Sequence, residues 1–115
     1  MEFLEEASPY KDKEFCYLDV FLEFDRNYEN EIDENHFKCI VVQALQQMFG
    51  IVGSAIDIDV LKYREEDRRA FLRCPGKKVE KVRIALTIFS SYENVNCCFR
   101  INKVTPDLTS LSKNT

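Results

Sequence analysis

Between Asp33 and Gly50 the apolar residues Phe37, Ile40, Val41, Ala44, Leu45, Met48 and Phe49 recur at i, i+3, i+4, i+7, i+8, i+11 and i+12. That period gathers them on one stripe of an α-helix and on no single face of a strand, so the fold must offer a surface that covers one long amphipathic helix. The ends are marked as well. Asp33 stands at the N-cap position, Glu34 places a carboxylate in the first turn against the helix dipole, and Gly50 follows as a C′ glycine. At roughly 1.5–3 kcal/mol per fully buried large side chain, this stripe can anchor a core.

The surface that receives it is legible in alternating segments. From Glu14 to Phe24, Leu18, Val20, Leu22 and Phe24 fall on one side and Asp19, Phe21 and Glu23 on the other, which predicts a half-buried first strand. Asp25 to Glu31 is a polar loop. Ile56, Ile58 and Val60 alternate with Asp57 and Asp59, and the pattern runs on to Tyr63, predicting a second strand before a turn over Arg64 to Asp67. In the third strand Ala70, Leu72 and Cys74 oppose Arg69, Phe71 and Arg73, so strands two and three form a hairpin. After Pro75-Gly76 the helical period returns at Val79, Val82, Ala85, Leu86 and Phe89, with Lys77, Lys78, Lys81 and Arg83 mostly on the outer side of this second helix. Tyr92 to Asn96 reads as a turn, Cys98 to Val104 as the fourth strand ended by Pro106, and Leu108 with Leu111 as one short helical turn. The order β-α-β-β-α-β predicts an α+β fold, a two-layer α/β sandwich of ferredoxin-like or RNA-recognition-motif-like type. Two helices would cover one face of a four-stranded antiparallel sheet, and the other face would stay open to a partner.

A chain of 115 residues, 45 % hydrophobic and 31 % charged with three Gly and three Pro, has the size and balance of one soluble globular core. Residues 1–13 are acidic and aperiodic, which predicts a flexible arm before a single domain over 14–111 and a tail over 112–115. No window approaches the roughly 18 apolar residues of a membrane span, and Met1-Glu2-Phe3-Leu4-Glu5-Glu6 is acidic where a secretory signal would be basic, so no membrane partner is expected and the chain should stay on the cytosolic or nuclear side. The five cysteines, Cys16, Cys39, Cys74, Cys97 and Cys98, form no C-x-x-C pair, and His36 has none of them at a ligand spacing. No metal and no other cofactor is expected. Cys16, Cys39 and Cys74 lie in apolar-patterned segments and read as small buried hydrophobes, and His36 reads as a first-turn helix residue.

Charge divides the chain. Residues 1–59 hold fourteen acids and four Lys or Arg, whereas residues 60–115 hold six acids and twelve bases, so a net −4 hides two halves of opposite sign. The basic set Arg68, Arg69, Arg73, Lys77, Lys78, Lys81 and Arg83 is opposed locally by Glu80 alone. With Phe71 between Arg69 and Arg73, and Arg100 on the fourth strand, these are the candidate RNA contacts, acting on phosphates rather than bases because the aromatic run of a base-stacking sheet is missing and Asp19 and Glu23 flank Phe21. Glycine-rich phosphate loops are absent. Asp57 and Asp59 share one strand face and read as solvated carboxylates rather than an acid–base pair, and Ser54 has no nearby histidine in sequence, so no catalytic residue is assigned.

Phe37-Lys38 followed by Ala44, Phe49-Gly50, Val52 and Ala55, and then Asp59-Val60-Leu61-Lys62-Tyr63, resembles the family of fourteen-kilodalton protein subunits of ribonuclease P and their Pop relatives. Leu86-Thr87, Ser91-Tyr92 and Cys97-Cys98-Phe99-Arg100-Ile101 through Val104 with Pro106 continue the likeness, which spans residues 14 to 111. The resemblance implies an RNA-recognition-like sandwich without catalytic residues, an accessory subunit of a ribonucleoprotein whose RNA cleaves the 5′ leader of precursor tRNA in the nucleus and nucleolus. It implies as partners other ribonuclease P/MRP protein subunits, especially a thirty-kilodalton barrel-like subunit and a second member of the same family, with ribonuclease P RNA as a further contact. A free-standing single-stranded RNA-binding module of recognition-motif type is the alternative; a small metabolic enzyme using Asp57 and Asp59 is the third reading.

Overall fold

The computed structural model describes residues 5 and 7–112, without the side chains of residues 53, 54 and 112. The helix expected from the apolar stripe forms as α1, Glu34–Phe49, with Asp33 Oδ1 accepting the His36 backbone N–H at 2.8 Å. Gly50 closes it at φ 67°, a left-handed conformation that suits glycine, and its N–H donates to the Gln46 carbonyl. Phe37, Ile40, Val41, Ala44 and Leu45 are buried. Met48, expected in the same stripe, is exposed, and a one-turn helix α2, Ile51–Ser54, follows α1 at once.

The strands are β1 (Phe15–Phe24), β2 (Asp59–Arg64), β3 (Arg69–Pro75), β4 (Ser91–Tyr92) and β5 (Val95–Thr105). They form one antiparallel sheet in the order β2-β3-β1-β5-β4. The four-stranded expectation is thereby corrected. Residues read as a turn, Tyr92 to Asn96, instead make a tight hairpin in which Glu93 and Asn94 take φ 49° and 66°, and Ser91 and Tyr92 add a short fifth strand. Two left-handed residues in a two-residue loop match the right-handed twist of the flanking strands, and no glycine announced them. The second strand also begins later than expected. Ile56 and Asp57 precede it, although Ile58 still points into the core.

A 3₁₀ turn, Gly76–Lys78, leads from β3 into α3, Val79–Ile88. Leu18, Val20 and Leu22 from β1, Ala70 and Leu72 from β3, and Phe99 from β5 meet the buried stripes of α1 and α3 in the main core. Residues 7–13, expected as part of a loose arm, pack against this body instead: Ser8 is buried, Tyr10 lies on the core, and the Gly76 N–H donates to the Glu14 carbonyl. A Cβ on Gly76 would collide with the carbonyl oxygens of Lys13 and Tyr10, so glycine is what lets the two backbones approach. Residues 1–4 and 6 of the expected arm, and 113–115 of the expected tail, lie outside the described residues.

The face away from the two long helices is not fully open. The short turn expected at Leu108 and Leu111 forms as α4, Leu108–Ser112, and docks on β1 and β5. Leu111 is wholly buried there, and Phe71 is 7 % exposed, both outside the main core cluster. Lys103 Nζ donates to the Ser110 carbonyl at 3.1 Å and ties the turn down.

Candidate functional site

Strand register decides which side chains share this outer face. Arg64 lies opposite Arg69, Arg69 opposite Phe21, and Phe21 opposite Arg100, giving a row of three arginines and one phenylalanine across β2, β3, β1 and β5. The next row runs Lys62, Phe71, Asp19, Lys103, and the third Asp59, Arg73, Tyr17, Thr105. Sequence reading named Arg69, Phe71, Arg73 and Arg100. Arg64, Lys62 and Lys103 were missed, since only cross-strand pairing brings these distant positions together.

The arginines of this face are ion-paired. Arg69 grips Asp19 in a bidentate pair, Nε to Oδ1 at 2.8 Å and a terminal nitrogen to Oδ2 at 2.6 Å. Asp19 is 2 % exposed, so the guanidinium supplies the hydrogen bonds that burial would otherwise deny the carboxylate. Arg73 donates twice to Asp59 Oδ2, at 3.0 and 2.9 Å. Arg100 reaches Glu23 at 3.2 Å, and Arg64 forms a bidentate pair with Asp67 that holds the Asp67 carboxyl below its ordinary pKa. Phe71 is covered by this layer, with the Arg69 guanidinium 5.8 Å from its ring centroid, so it is not presented for stacking.

The rest of the expected basic patch divides in two. Arg68, in a left-handed turn at φ 54°, places its guanidinium 5.0 Å from the Phe24 ring centroid and 5.9 Å from that of Tyr28, and donates to the Tyr28 carbonyl. Among the described residues neither Arg68 nor Lys77 forms an ion pair with a carboxylate. Arg83 pairs with Glu80 one turn earlier on α3. Lys81 corrects its expected outward position: it is buried, with Nζ 5.9 Å from the Phe49 ring centroid and 3.2 Å from Glu5. Burial of a lysine is tolerable here because its ammonium finds both a carboxylate and an aromatic ring. Lys78 Nζ meets the same Glu5 carboxylate at 2.5 Å, and that hydrogen bond, ahead of the opposing burial cost, lowers the Glu5 pKa.

No acid–base dyad is built from Asp57 and Asp59, because Asp57 precedes β2 and Asp59 is taken up by Arg73. The Ser54 side chain lies outside the described residues. His36 sits in the first turn of α1 as expected, and its Nε2 is 2.5 Å from the Tyr92 hydroxyl. All five cysteines are free. Cys16 and Cys74 face each other across β1 and β3 in the core, where burial pushes the Cys74 thiol up to about 12. Cys39 is exposed, contrary to its expected burial, since it lies on the solvent side of α1 beside the buried Ile40. Among the described residues no group of three or more His, Cys, Asp or Glu could hold a metal ion, and no helix is long and apolar enough to cross a membrane.

Comparison with known proteins gives this arrangement a lineage. Residues 14–89 match the family described as ribonucleases P/MRP protein subunit Pop8. The ribonuclease P protein subunit p14 of Mus musculus is 38 % identical over 101 residues, covering 88 % of this chain and 82 % of the relative. That of Homo sapiens is 34 % identical over 101 residues, covering 88 % and 81 %. A chain in the cryo-EM structure of yeast ribonuclease MRP shares the fold with a TM-score of 0.70 at 15 % identity, covering 84 % of this chain and 76 % of that one. By family match over most of the folded body and by identity across nearly all of it, the chain belongs to the Pop8 family of ribonuclease P/MRP protein subunits.

Proposed function

We propose that this chain is a non-catalytic assembly subunit of the ribonuclease P/MRP ribonucleoprotein, helping to hold the particle that removes the 5′ leader of precursor tRNA. Its four longer strands, in the order β2-β3-β1-β5 beneath α1 and α3, are read as an RNA-recognition-motif-like core adapted to contact rather than to base reading. The observation that carries the reading is the state of the outer face. Arg69, Arg73 and Arg100 are bound to Asp19, Asp59 and Glu23, and Phe71 is covered, so the cations and the ring that would cooperate on a base are engaged within the fold.

RNA contact, on this reading, is made at phosphates by Arg68 and Lys77, which fixes position without reading sequence. The protein neighbours are other subunits of the particle, in particular a thirty-kilodalton barrel-like subunit and a second chain of the same fold, and the chain resides with the particle in nucleus and nucleolus. Tagged protein recovered from cells is expected to carry precursor-tRNA cleavage activity and ribonuclease P RNA; recovery of neither overturns the proposal. In the purified particle, Arg68→Glu with Lys77→Glu is expected to reduce cross-links from this subunit to RNA while leaving its protein cross-links in place. Salt-sensitive binding of short RNA by the lone chain, abolished by Arg69→Glu and Arg73→Glu, would instead favour a free-standing RNA-binding module.

A further inference from the structure

In the sheet order β2-β3-β1-β5-β4 the last strand is only two residues long and pairs Ser91 with Asn96 and Tyr92 with Val95. One further bond, Cys97 N–H to the Ser90 carbonyl at 2.9 Å, follows on that side of β5. Beyond it, among the described residues, Cys98–Thr105 has a strand on its β1 side alone. The direction of the backbone groups follows from alternation. Asn96 turns its carbonyl to β1, where the Asp25 N–H meets it at 3.0 Å, so Cys98 and Arg100 face β1 as well. Phe99 and Ile101 direct their N–H and C=O outward, as Cys97 does. Past Asn102, which the pairing with β1 skips, Lys103 faces β1 again and Val104 faces outward.

The opposite edge of the sheet is blunted: β2 is six residues long, shifts register at Leu61 and carries Asp59, Lys62 and Arg64. Beside β5 the surface instead forms a groove of about 640 Å³, walled by Phe99 to Val104 and, from α3, by Arg83 and Thr87. Arg83 and Thr87 also border a hollow on α3 that reaches Ile84 and Ile88, and Ile88 is 56 % exposed. On the other side of β5, Arg100 and Lys103 stand on the outer face of the sheet, in the rows of Phe21 and Asp19. A segment laid along β5 therefore has apolar Ile84 and Ile88 near one row of its side chains and two cations near the other. Among the described residues the groove is lined by three basic side chains and no acidic one, and Lys103 forms no ion pair there.

We propose that this edge of β5 receives an extended strand from a different polypeptide, one in which apolar and acidic residues alternate. Phe99 to Val104 offers about 20 Å of edge. Phe99, Ile101 and Val104 supply the main-chain hydrogen bonds, the apolar row of the incoming strand lies on Ile84 and Ile88, and its acidic row meets Arg100 and Lys103. A second copy of this chain fits poorly, because antiparallel pairing of β5 with itself sets these two cations against the same two cations. The proposal rests on the assembly reading above for its expectation of a protein neighbour, and adds where that neighbour binds and by what chemistry.

The test compares the tagged full chain alone with the same chain in the assembly recovered from cells, by hydrogen exchange read at single amides. The Ile101 and Val104 amides are expected to slow at least about tenfold in the assembly, while the Leu18 and Leu72 amides, in the core, change little. A photoreactive phenylalanine analogue in place of Asn102 is expected to capture a different protein, at a segment with alternating apolar and acidic residues. Arg100→Glu with Lys103→Glu is expected to remove both the slowing and the capture and to leave the core amides protected. Edge amides that stay fast in whatever the chain is recovered with overturn the proposal, as does capture of RNA, of a second copy or of a basic segment. Ribonuclease P RNA missing from the assembly counts against the assembly reading, whereas fast edge amides in an assembly that holds this RNA count against the docking strand alone.

Discussion

At the Asp19–Arg69 pair, one residue interaction decides whether a charge can lie under a protein surface. Asp19 is in the middle of β1 and almost without solvent contact, while Arg69 keeps 21 % of its side chain exposed. Arg69→Ala leaves the carboxylate buried without its donors. Because the guanidinium itself reaches water, the expected loss is about 2–3 kcal/mol, below the roughly 3–5 kcal/mol for breaking a fully buried pair. Arg100→Ala breaks a pair in which both members are well exposed, and the expected change is within about 0.5 kcal/mol. Urea denaturation of the two variants measures the contrast, and equal midpoints would refute it. The sequence identified Arg69 as outward-facing and basic; it did not reveal that its charge is consumed by an acid fifty positions earlier.

Among the elements, α4 shows how a short terminal turn changes what a sheet can do. Five residues are too few to be stable as a helix alone, so α4 persists through its docking, above all through Leu111, which is fully buried. Leu111→Ala is expected to cost about 2 kcal/mol, the low end for a buried leucine because a terminal turn can relax around the loss. Amide exchange should rise in parallel at Leu111, whose N–H donates to the Asp107 carbonyl, and protection equal to the parent would show that the turn does not depend on this anchor. Long elements were the legible ones. The spacing in α1 and α3 and the alternation in β1 and β3 each repeat over several turns or pairs, and local sequence is enough to register them. The β4–β5 hairpin was not legible, since Glu93 and Asn94 carry no glycine to signal a left-handed turn and a two-residue strand shows no period.

Across the whole molecule, the division of charge between the two halves of the chain is largely answered inside the fold. Glu5 with Lys78 and Lys81, Asp19 with Arg69, Glu23 with Arg100 and Asp59 with Arg73 each join the acidic half to the basic half. These contacts support the register that places β1 between β3 and β5, because a one-residue slip would turn the outward charges toward the core. Two pH limits follow. Glu5 and Asp67 have lowered pKa values, so their contribution is present above the ordinary carboxylate range near about 4 and is lost as pH falls through their lower folded values. At the alkaline end, burial pushes Tyr63 and the Cys74 thiol up to about 12, so the fold favours their neutral forms and stability declines as pH rises past the unfolded values of about 10 and 8.5. Thermal melts from acid to alkaline pH are expected to show a plateau between these limits. Tyr63→Phe should soften the alkaline decline, and an unchanged alkaline limb would remove Tyr63 from the account.

What the amino-acid sequence determined by itself was whatever depends on neighbours three or four positions away on a helix, or two away on a strand: two amphipathic helices, the alternating β1 and β3, the cap at Asp33 and the stop at Gly50. Tertiary structure alone decided the fate of the charges and of the second sheet face. Whether Arg69 meets a phosphate or Asp19, whether Lys81 faces water or Phe49, and whether Phe71 is offered or covered depend on pairings between residues far apart in the chain. Local periodicity carries no information about such distances, because it specifies which way a side chain points and not what the fold brings to meet it.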